Sequence, residues 1–414
     1  MEGLTPRFVE SALTDACSDT PVVVVQGPRQ CGKTTLVQQL DLPYVTLDDG
    51  LALDAATSNP EGWLAAYDNR LIIDEVQRAP TLARAIKARV DKRRLAGSFV
   101  LTGSTNILLL PRLADSLAGR MEVITLWPLS WAEMNDSRVS FADRVFTQWP
   151  PKLHAGEHVS DDEIAQRILA GGFPEPMSRA KPQRREAWFQ AYIRALLDRD
   201  VRDLAEIEGL NQLPRLLRSL VRSLYEPTNV LALSRETGIA ATTLTRYLSL
   251  LEGVFLVKSV PAWTALGSGK AAKTARLAVV DSGVACHLDG VRVVADLTPA
   301  HWENAVVMEL TKQLSWSQVS HEVMHFRSIR QYALPAVLQA ADGRLVGVSV
   351  CTSALASPSD FKALEYFADV AGDDFHAGVV LTMGNTVQRV SEKLTAMPVS
   401  ALFERSFWTS SDSD

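Results

Sequence analysis

The residues Gly27, Pro28, Arg29, Gln30, Cys31, Gly32, Lys33, Thr34 and Thr35 form an unbroken phosphate-binding loop. Gly27 and Gly32 allow the backbone to curl so that successive N–H groups face inward, an anion nest at the start of a helix whose dipole also favours negative charge. Lys33 then supplies a mobile cation for the β and γ phosphates, and Thr34 offers a hydroxyl to Mg²⁺. Thr35 caps the phosphate nearest the ribose, while Cys31 fills a variable position. This stretch predicts a nucleotide binder.

Further along, the apolar run Leu71, Ile72, Ile73 ends in Asp74 and Glu75. A buried strand beside the phosphate-loop strand would deliver Asp74 to the Mg²⁺ shell, and Glu75 would polarise a water in line with the γ phosphate. Another apolar run, Phe99 to Thr102, leads into Gly103, Ser104, Thr105 and Asn106. Thr102, Ser104 and Asn106 are all candidates to hydrogen-bond the attacking water or the γ phosphate, with Ser104 preferred. A turn built from the same residue types is the alternative. Arg120 could neutralise transition-state charge, in cis or on a neighbouring copy's nucleotide; an arginine paired within its own domain is the competing reading.

These side chains need a scaffold. The β-rich runs Val22 to Val25, Tyr44 to Leu47, Leu71 to Ile73, Phe99 to Thr102 and Val123 to Leu126 alternate with helical stretches. Continuous apolar strands separated by helices imply a parallel sheet covered on both faces, so the fold class is α/β. Residues 136–162, with Pro150 and Pro151 and little periodicity, read as a linker or insertion. Helical patterning resumes at 163–264, where Val230 to Thr237, Gly238 and Thr242 to Leu251 have a helix-turn-helix layout. From about Ala265 to 408 the texture is α+β, with strands expected at Arg276 to Val280, Ala336 to Gln339, Leu345 to Val350 and Ala377 to Leu381. The polar end, 409–414, is expected to fray.

Composition bounds the rest. The 414 residues carry a net charge of −6, which argues against a surface coated for non-specific nucleic-acid binding. Cys17, Cys31, Cys286 and Cys351 have neither disulfide-framework nor zinc-ligand spacing. No apolar run approaches the roughly 18 residues of a membrane span, and the start lacks a signal peptide's order, so a cytoplasmic location without membrane contact is expected. The basic helix Ala85 to Leu95 reads as a solvated face, and Trp127, Trp188, Trp263 and Trp302 as core anchors.

The phosphate loop, Asp74 to Gln77, Leu101 to Ser104, Ser116 to Arg120 and Pro128 to Ser130 together resemble the prokaryotic AAA-superfamily ATPases. Gly171 to Glu175, Arg199 to Val201, Tyr247 to Glu252 and Asp281 to Ala285 extend the resemblance to the branch whose C-terminal half is a domain of unknown function. It implies ATP and Mg²⁺ as cofactors and an AAA-type P-loop domain over 1–135. It further implies a helical lid with a winged-helix-like unit, then a restriction-endonuclease-like fold. Glu303 keeps that fold's helix acid. The strand acid is missing from Tyr332 to Val337, and Ser349, Val350 and Cys351 stand where Glu-x-Lys is expected, so Mg²⁺-dependent cleavage has no visible machinery unless Asp342 or Asp360 substitutes.

Three functions compete. An ATPase that drives rearrangement of C-terminal interaction domains leads; a nucleotide-gated switch with little turnover is second, and an ATP-regulated nuclease is third. Arg246 is the one basic residue on the second helix of the helix-turn-helix, which favours packing there over DNA reading. The partner, protein or nucleic acid, and any self-association are not specified by the sequence.

Overall fold

The computed structural model describes residues 5–68, 70–107, 110–152, 159–204, 212–224, 226–264 and 274–408. The expected frayed end, 409–414, lies outside them. No helix among the described residues is long and apolar enough to cross a membrane.

The first unit is built on five parallel strands: β1 (Val22–Gln26), β2 (Tyr44–Thr46), β3 (Leu71–Asp74), β4 (Phe99–Gly103) and β5 (Met121–Thr125), in the order β2-β3-β4-β1-β5. Alternate residues face opposite layers. Val23, Val25, Ile72, Val100 and Ile124 enter one core, and Val22, Val24, Leu71, Ile73, Phe99 and Leu101 the other. That two-sided burial explains the unbroken valine and isoleucine runs. One expectation is corrected: β4, not β3, lies beside β1 on that side, and β3 pairs with β2 and β4. The carboxyl ends of β1, β3 and β4 nevertheless lie at one edge, because parallel strands all point the same way.

Residues 136–162 are no bare linker. They contain the helix Phe141–Thr147, capped by the Ser140 side chain, with Phe141, Ala142, Val145 and Phe146 buried. The helix packs on the C-terminal unit through Asp143, which accepts from the Ser317 hydroxyl and from the N–H groups of Gln318 and Val319.

A helical region follows. The helix Pro182–Ala195 runs into a π-helical turn at Leu196–Asp200. Three further helices, Leu213–Arg222, Val230–Thr237 and Ala241–Gly253, precede β6 (Val257–Val260) and β7 (Arg276–Val279), which pair antiparallel. Gly238 ends the middle helix at φ 72°, the left-handed conformation that glycine adopts without a Cβ penalty. Because β7 pairs with β6, the strand read at Arg276 belongs with the helical region, and the change of unit expected near Ala265 would cut this pair.

The last unit starts with the helix Pro299–Gln313. Then come β8 (His321–Arg327), β9 (Ala333–Ala340), β10 (Leu345–Cys351), the helix Pro358–Ala371, β11 (Phe375–Thr382), β12 (Gln388–Arg389) and β13 (Leu394–Pro398). The sheet order is β12-β13-β11-β10-β9-β8. β8, β9 and β10 form an antiparallel meander, and the helix carries the chain over to β11, parallel to β10. Residues Phe361, Leu364 and Phe367 cover one face; Val306, Val307 and Leu310 cover the other. That second core is continuous with one layer of the first sheet and with the helical region. The helix Pro299–Gln313 is therefore buried nearly all round, as a helix between packed layers must be.

Candidate functional site

The phosphate loop takes its shape from residues that no side chain could replace cheaply. Gly27 has φ 150°, and a Cβ there would lie 2.0 Å from the Leu126 carbonyl oxygen; Gly32 has φ 105°. Gln30 also adopts a positive φ, 61°. The loop closes onto the helix Lys33–Val37, and Lys33 is buried, its Nζ donating to the carbonyls of Gly27 and Pro28 at 2.9 and 2.8 Å. From below, the Arg7 guanidinium donates to the Cys31 and Trp127 carbonyls and pairs with Glu133 at 2.9 Å. Burial pushes the Cys31 thiol up from its ordinary range, against the lowering charges of Lys33 and Arg7. Thr35 is exposed on the outer side of the helix.

The ends of β3 and β4 bring the acids to this loop. The Thr34 hydroxyl lies 3.1 Å from Asp74 Oδ2, to which the Tyr44 hydroxyl donates at 2.7 Å. The Thr102 hydroxyl donates to Asp74 Oδ1 and accepts from the Glu75 N–H. Burial and the neighbouring Asp74 carboxylate hold the Tyr44 hydroxyl well above the usual tyrosine range, so it stays a donor. A hydroxyl and a carboxylate, both hard oxygen donors in contact, fit Mg²⁺.

Glu75 has the left-handed backbone φ 59°, ψ 46°, an uncommon conformation for a non-glycine residue and one that turns its side chain off the strand. Its Oε2 accepts from Gln77 Nε2 and, at 3.2 Å, from the Ser104 hydroxyl, while Gln77 Nε2 also donates to Ser104 Oγ at 3.1 Å. Of the three polar candidates at the end of β4 and just beyond it, Ser104 faces Glu75 and Thr102 supports Asp74. Asn106 donates its backbone N–H to the Gly253 carbonyl of the helical region.

Arg120 does not join them. It precedes β5 at the amino end of the sheet, where its carbonyl accepts from the Val22 N–H, whereas the loop leaves the carboxyl end of β1. Four residues of strand, roughly 13 Å, intervene. Its guanidinium forks onto both oxygens of Asp91 at 2.6 and 3.0 Å. The parallel sheet thus keeps Arg120 away from the chain's own loop, and its guanidinium is paired within its own domain, the competing reading given for it above.

Sequence reasoning placed Arg29 in the phosphate loop but missed its partner, and missed Arg78 and Arg199 beside it. Arg29 pairs with buried Asp200 at 2.9 Å, so the π-helical turn grips the phosphate loop. Between them lies a cavity of about 500 Å³, lined by Arg29, Gln77, Arg78, Ser104, Arg199 and Asp200 among others. Residues so far apart in sequence give no spacing signal, and the Arg199 to Val201 motif marked similarity without marking a role.

A short strap links the loop to the last unit. Leu126 donates to Gln26, and its carbonyl is the atom that Gly27 must clear. Three residues on, the Leu129 N–H donates to Gly172, and its carbonyl accepts from buried Lys312 at 3.0 Å. Glu309 accepts from the Trp131 N–H at 2.8 Å, Ala132 N–H at 3.4 Å and Gln313 Nε2 at 3.0 Å. A Cβ on Gly172 would lie 2.3 Å from the Leu129 oxygen, which explains the second glycine of the Gly171 to Glu175 motif. Burial pushes the Asp281 and Glu309 carboxyls up, opposed by the charge of Lys312.

In the last unit the positions weighed for a nuclease are otherwise engaged or apolar. Asp342 binds Arg344 in the β9–β10 turn, and Asp360 completes the capping box of the helix Pro358–Ala371. Burial pushes the Glu303 carboxyl up, with Arg276 as the opposing cation.

The phosphate loop on a parallel α/β sheet makes the first unit a P-loop α/β domain, and residues 19–135 match the family model of an AAA domain. Residues 161–294 and 299–402 match two domains of unknown function, DUF8612 and DUF4143. Uncharacterized proteins of Mycobacterium tuberculosis and Mycobacterium bovis are each 27% identical over 317 residues, 75% of this chain and 66% of their own length. An uncharacterized protein of Haemophilus influenzae is 23% identical, covering 70% of this chain and 74% of itself. Among solved structures, a Walker-type ATPase of Pyrococcus abyssi has a TM-score of 0.44 at 15% identity, covering 69% of this chain and 96% of that one.

Proposed function

We propose that the protein is a Mg²⁺-dependent ATPase whose nucleotide state is passed to its C-terminal units. The observation that carries this reading is the meeting of Thr34 with Asp74, and of Glu75 with Ser104, at the mouth of the phosphate loop. Lys33 leaves the Gly27 and Pro28 carbonyls to bind the β and γ phosphates. Thr34 and Asp74 would hold Mg²⁺, which would neutralise phosphate charge when bound.

Glu75 orients a water and takes its proton as the water oxygen bonds to the γ phosphorus. The bond from that phosphorus to the β,γ-bridging oxygen breaks, and ADP leaves with the electron pair. Ser104 holds the Glu75 carboxylate at the end of β4. The strap from Leu126 to Ala132 carries displacement of the loop to Glu309 and Lys312. In this reading 163–264, extended through β7, is a winged-helix-like lid, and the last unit is a restriction-endonuclease-like fold used for contacts with a macromolecular partner.

The Gln77 and Ser104 contacts to Glu75 favour one variant of this reading, a switch that turns over slowly until a partner frees the carboxylate. Phosphate release by the purified chain, with and without Mg²⁺, tests the main proposal against Lys33→Ala. Release no faster than that variant's, with ATP still bound, leaves the switch. Loss of ATP binding in the wild type ends both.

A further inference from the structure

The cavity beside Glu75 has chemistry of its own. Gln77 and Ser104 belong to its wall and both donate to the Glu75 carboxylate, so the cavity adjoins Glu75 through one layer of side chains. Its lining carries three guanidiniums, Arg29, Arg78 and Arg199, against one carboxylate, Asp200. They are not equally available. Arg29 is held at 2.9 Å by Asp200, whose side chain is 4% exposed. Arg78 and Arg199 share the more exposed Asp48, at 2.7 and 4.0 Å.

A carboxylate more than half exposed holds its partners weakly, because water screens the pair. A phosphate dianion brings twice the charge and accepts forked hydrogen bonds from planar guanidiniums. Arg199 also sits on the π-helical turn, a local irregularity that sends its side chain to the cavity while the next residue, Asp200, grips the phosphate loop. The volume, about 500 Å³, exceeds that of a bare phosphate and leaves room for its hydration shell.

We propose that this cavity is a second oxyanion site, beside the phosphate loop and sharing Arg29 with it, in which Arg78 and Arg199 receive inorganic phosphate released at Glu75 and hold it before escape. The proposal rests on the ATPase reading for the source of the phosphate. In it Asp48 is the placeholder that the phosphate displaces, and Arg29, kept by Asp200, remains with the loop.

Calorimetric titration of inorganic phosphate into the full chain saturated with Mg·ADP tests it: ADP fills the α and β phosphate positions of the loop, and dependence on Arg78 and Arg199 distinguishes uptake by the cavity from uptake at the vacant γ position. Saturable uptake is expected. Arg199→Ala and Arg78→Ala should each weaken it about tenfold, from the loss of a charge-assisted contact, with Arg199→Lys intermediate. ADP affinity and the circular dichroism spectrum should stay at wild-type values, which separates the effect from misfolding. No uptake by the ADP complex, or uptake unaltered in both alanine variants, overturns the proposal.

Failure of Mg·ADP to bind is a different result: it removes the nucleotide reading. The same titration into nucleotide-free Lys33→Ala, with and without Arg199→Ala, then decides the oxyanion site. Arg199-dependent uptake sustains it, and its absence ends it.

Discussion

Glu75→Gln separates chemistry from binding at this site. The left-handed backbone at Glu75 suits glutamine as well as glutamate, and the amide oxygen can accept the same Gln77 and Ser104 donors. The substitution keeps shape and contacts and removes the capacity to take a proton. A positioned general base is worth about 10²- to 10⁴-fold, which corresponds to roughly 3–5 kcal/mol of barrier. Glu75 has no hydrogen bond to Lys33 or Thr34, which in this reading hold the phosphates and Mg²⁺, so ATP affinity should stay within about threefold, less than 0.7 kcal/mol. Single-turnover phosphate release, read beside equilibrium binding of ATP, gives both quantities from one preparation. Turnover within tenfold of the wild type would refute Glu75 as the base. Equal losses of turnover and affinity would show that Glu75 supports the loop rather than the reaction.

Other consequences follow from burial and sheet geometry. Glu309→Ala leaves the Trp131 and Ala132 N–H groups without their buried acceptor and should cost about 3 kcal/mol, seen as a lower denaturant midpoint; an unchanged midpoint would show that the strap does not anchor the last unit. Arg120→Ala should leave turnover per chain unaltered in dilute protein, and a loss there would contradict its placement at the amino end of the sheet. A loss confined to concentrated protein would identify a finger in trans, worth about 10³- to 10⁵-fold. His325 is buried on β8, and burial, with Arg276 and Arg327 beside it, lowers its pKa to about 4. Below the unfolded value of about 6.5 the unfolded chain takes up a proton that the native state refuses. The resulting stability is complete above that pH and is lost as pH falls toward 4, by about 3 kcal/mol in all. Urea titrations across this range should show the slope in the wild type and a flatter one in His325→Gln.

Much of the first unit was legible because its signals are local. A phosphate loop needs glycines at fixed positions, and buried parallel strands need unbroken apolar runs, so Gly27 to Thr35, β1, β3 and β4 stand out within a few residues each. The acids at Asp74 and Glu75 were visible for the same reason, as the polar end of an apolar strand. Strands β8, β12 and β13 were not. Their alternation is weak, since β8 mixes His321, Glu322 and His325 with apolar residues, and pairing with β9 decided it.

What the sequence determined by itself is the phosphate-loop pattern and the acids after an apolar strand, because loop, lysine, hydroxyl and acids are short-range patterns readable without the fold. Tertiary structure alone decided which other groups meet them. Strand order placed β4 between β1 and β3 and sent Arg120 to the far end, and chain packing set Asp200 on Arg29 and Glu309 under Trp131. Such contacts join residues more than a hundred positions apart, where no periodicity or spacing rule reaches. They arise from burying apolar faces together and then satisfying the polar groups trapped between them.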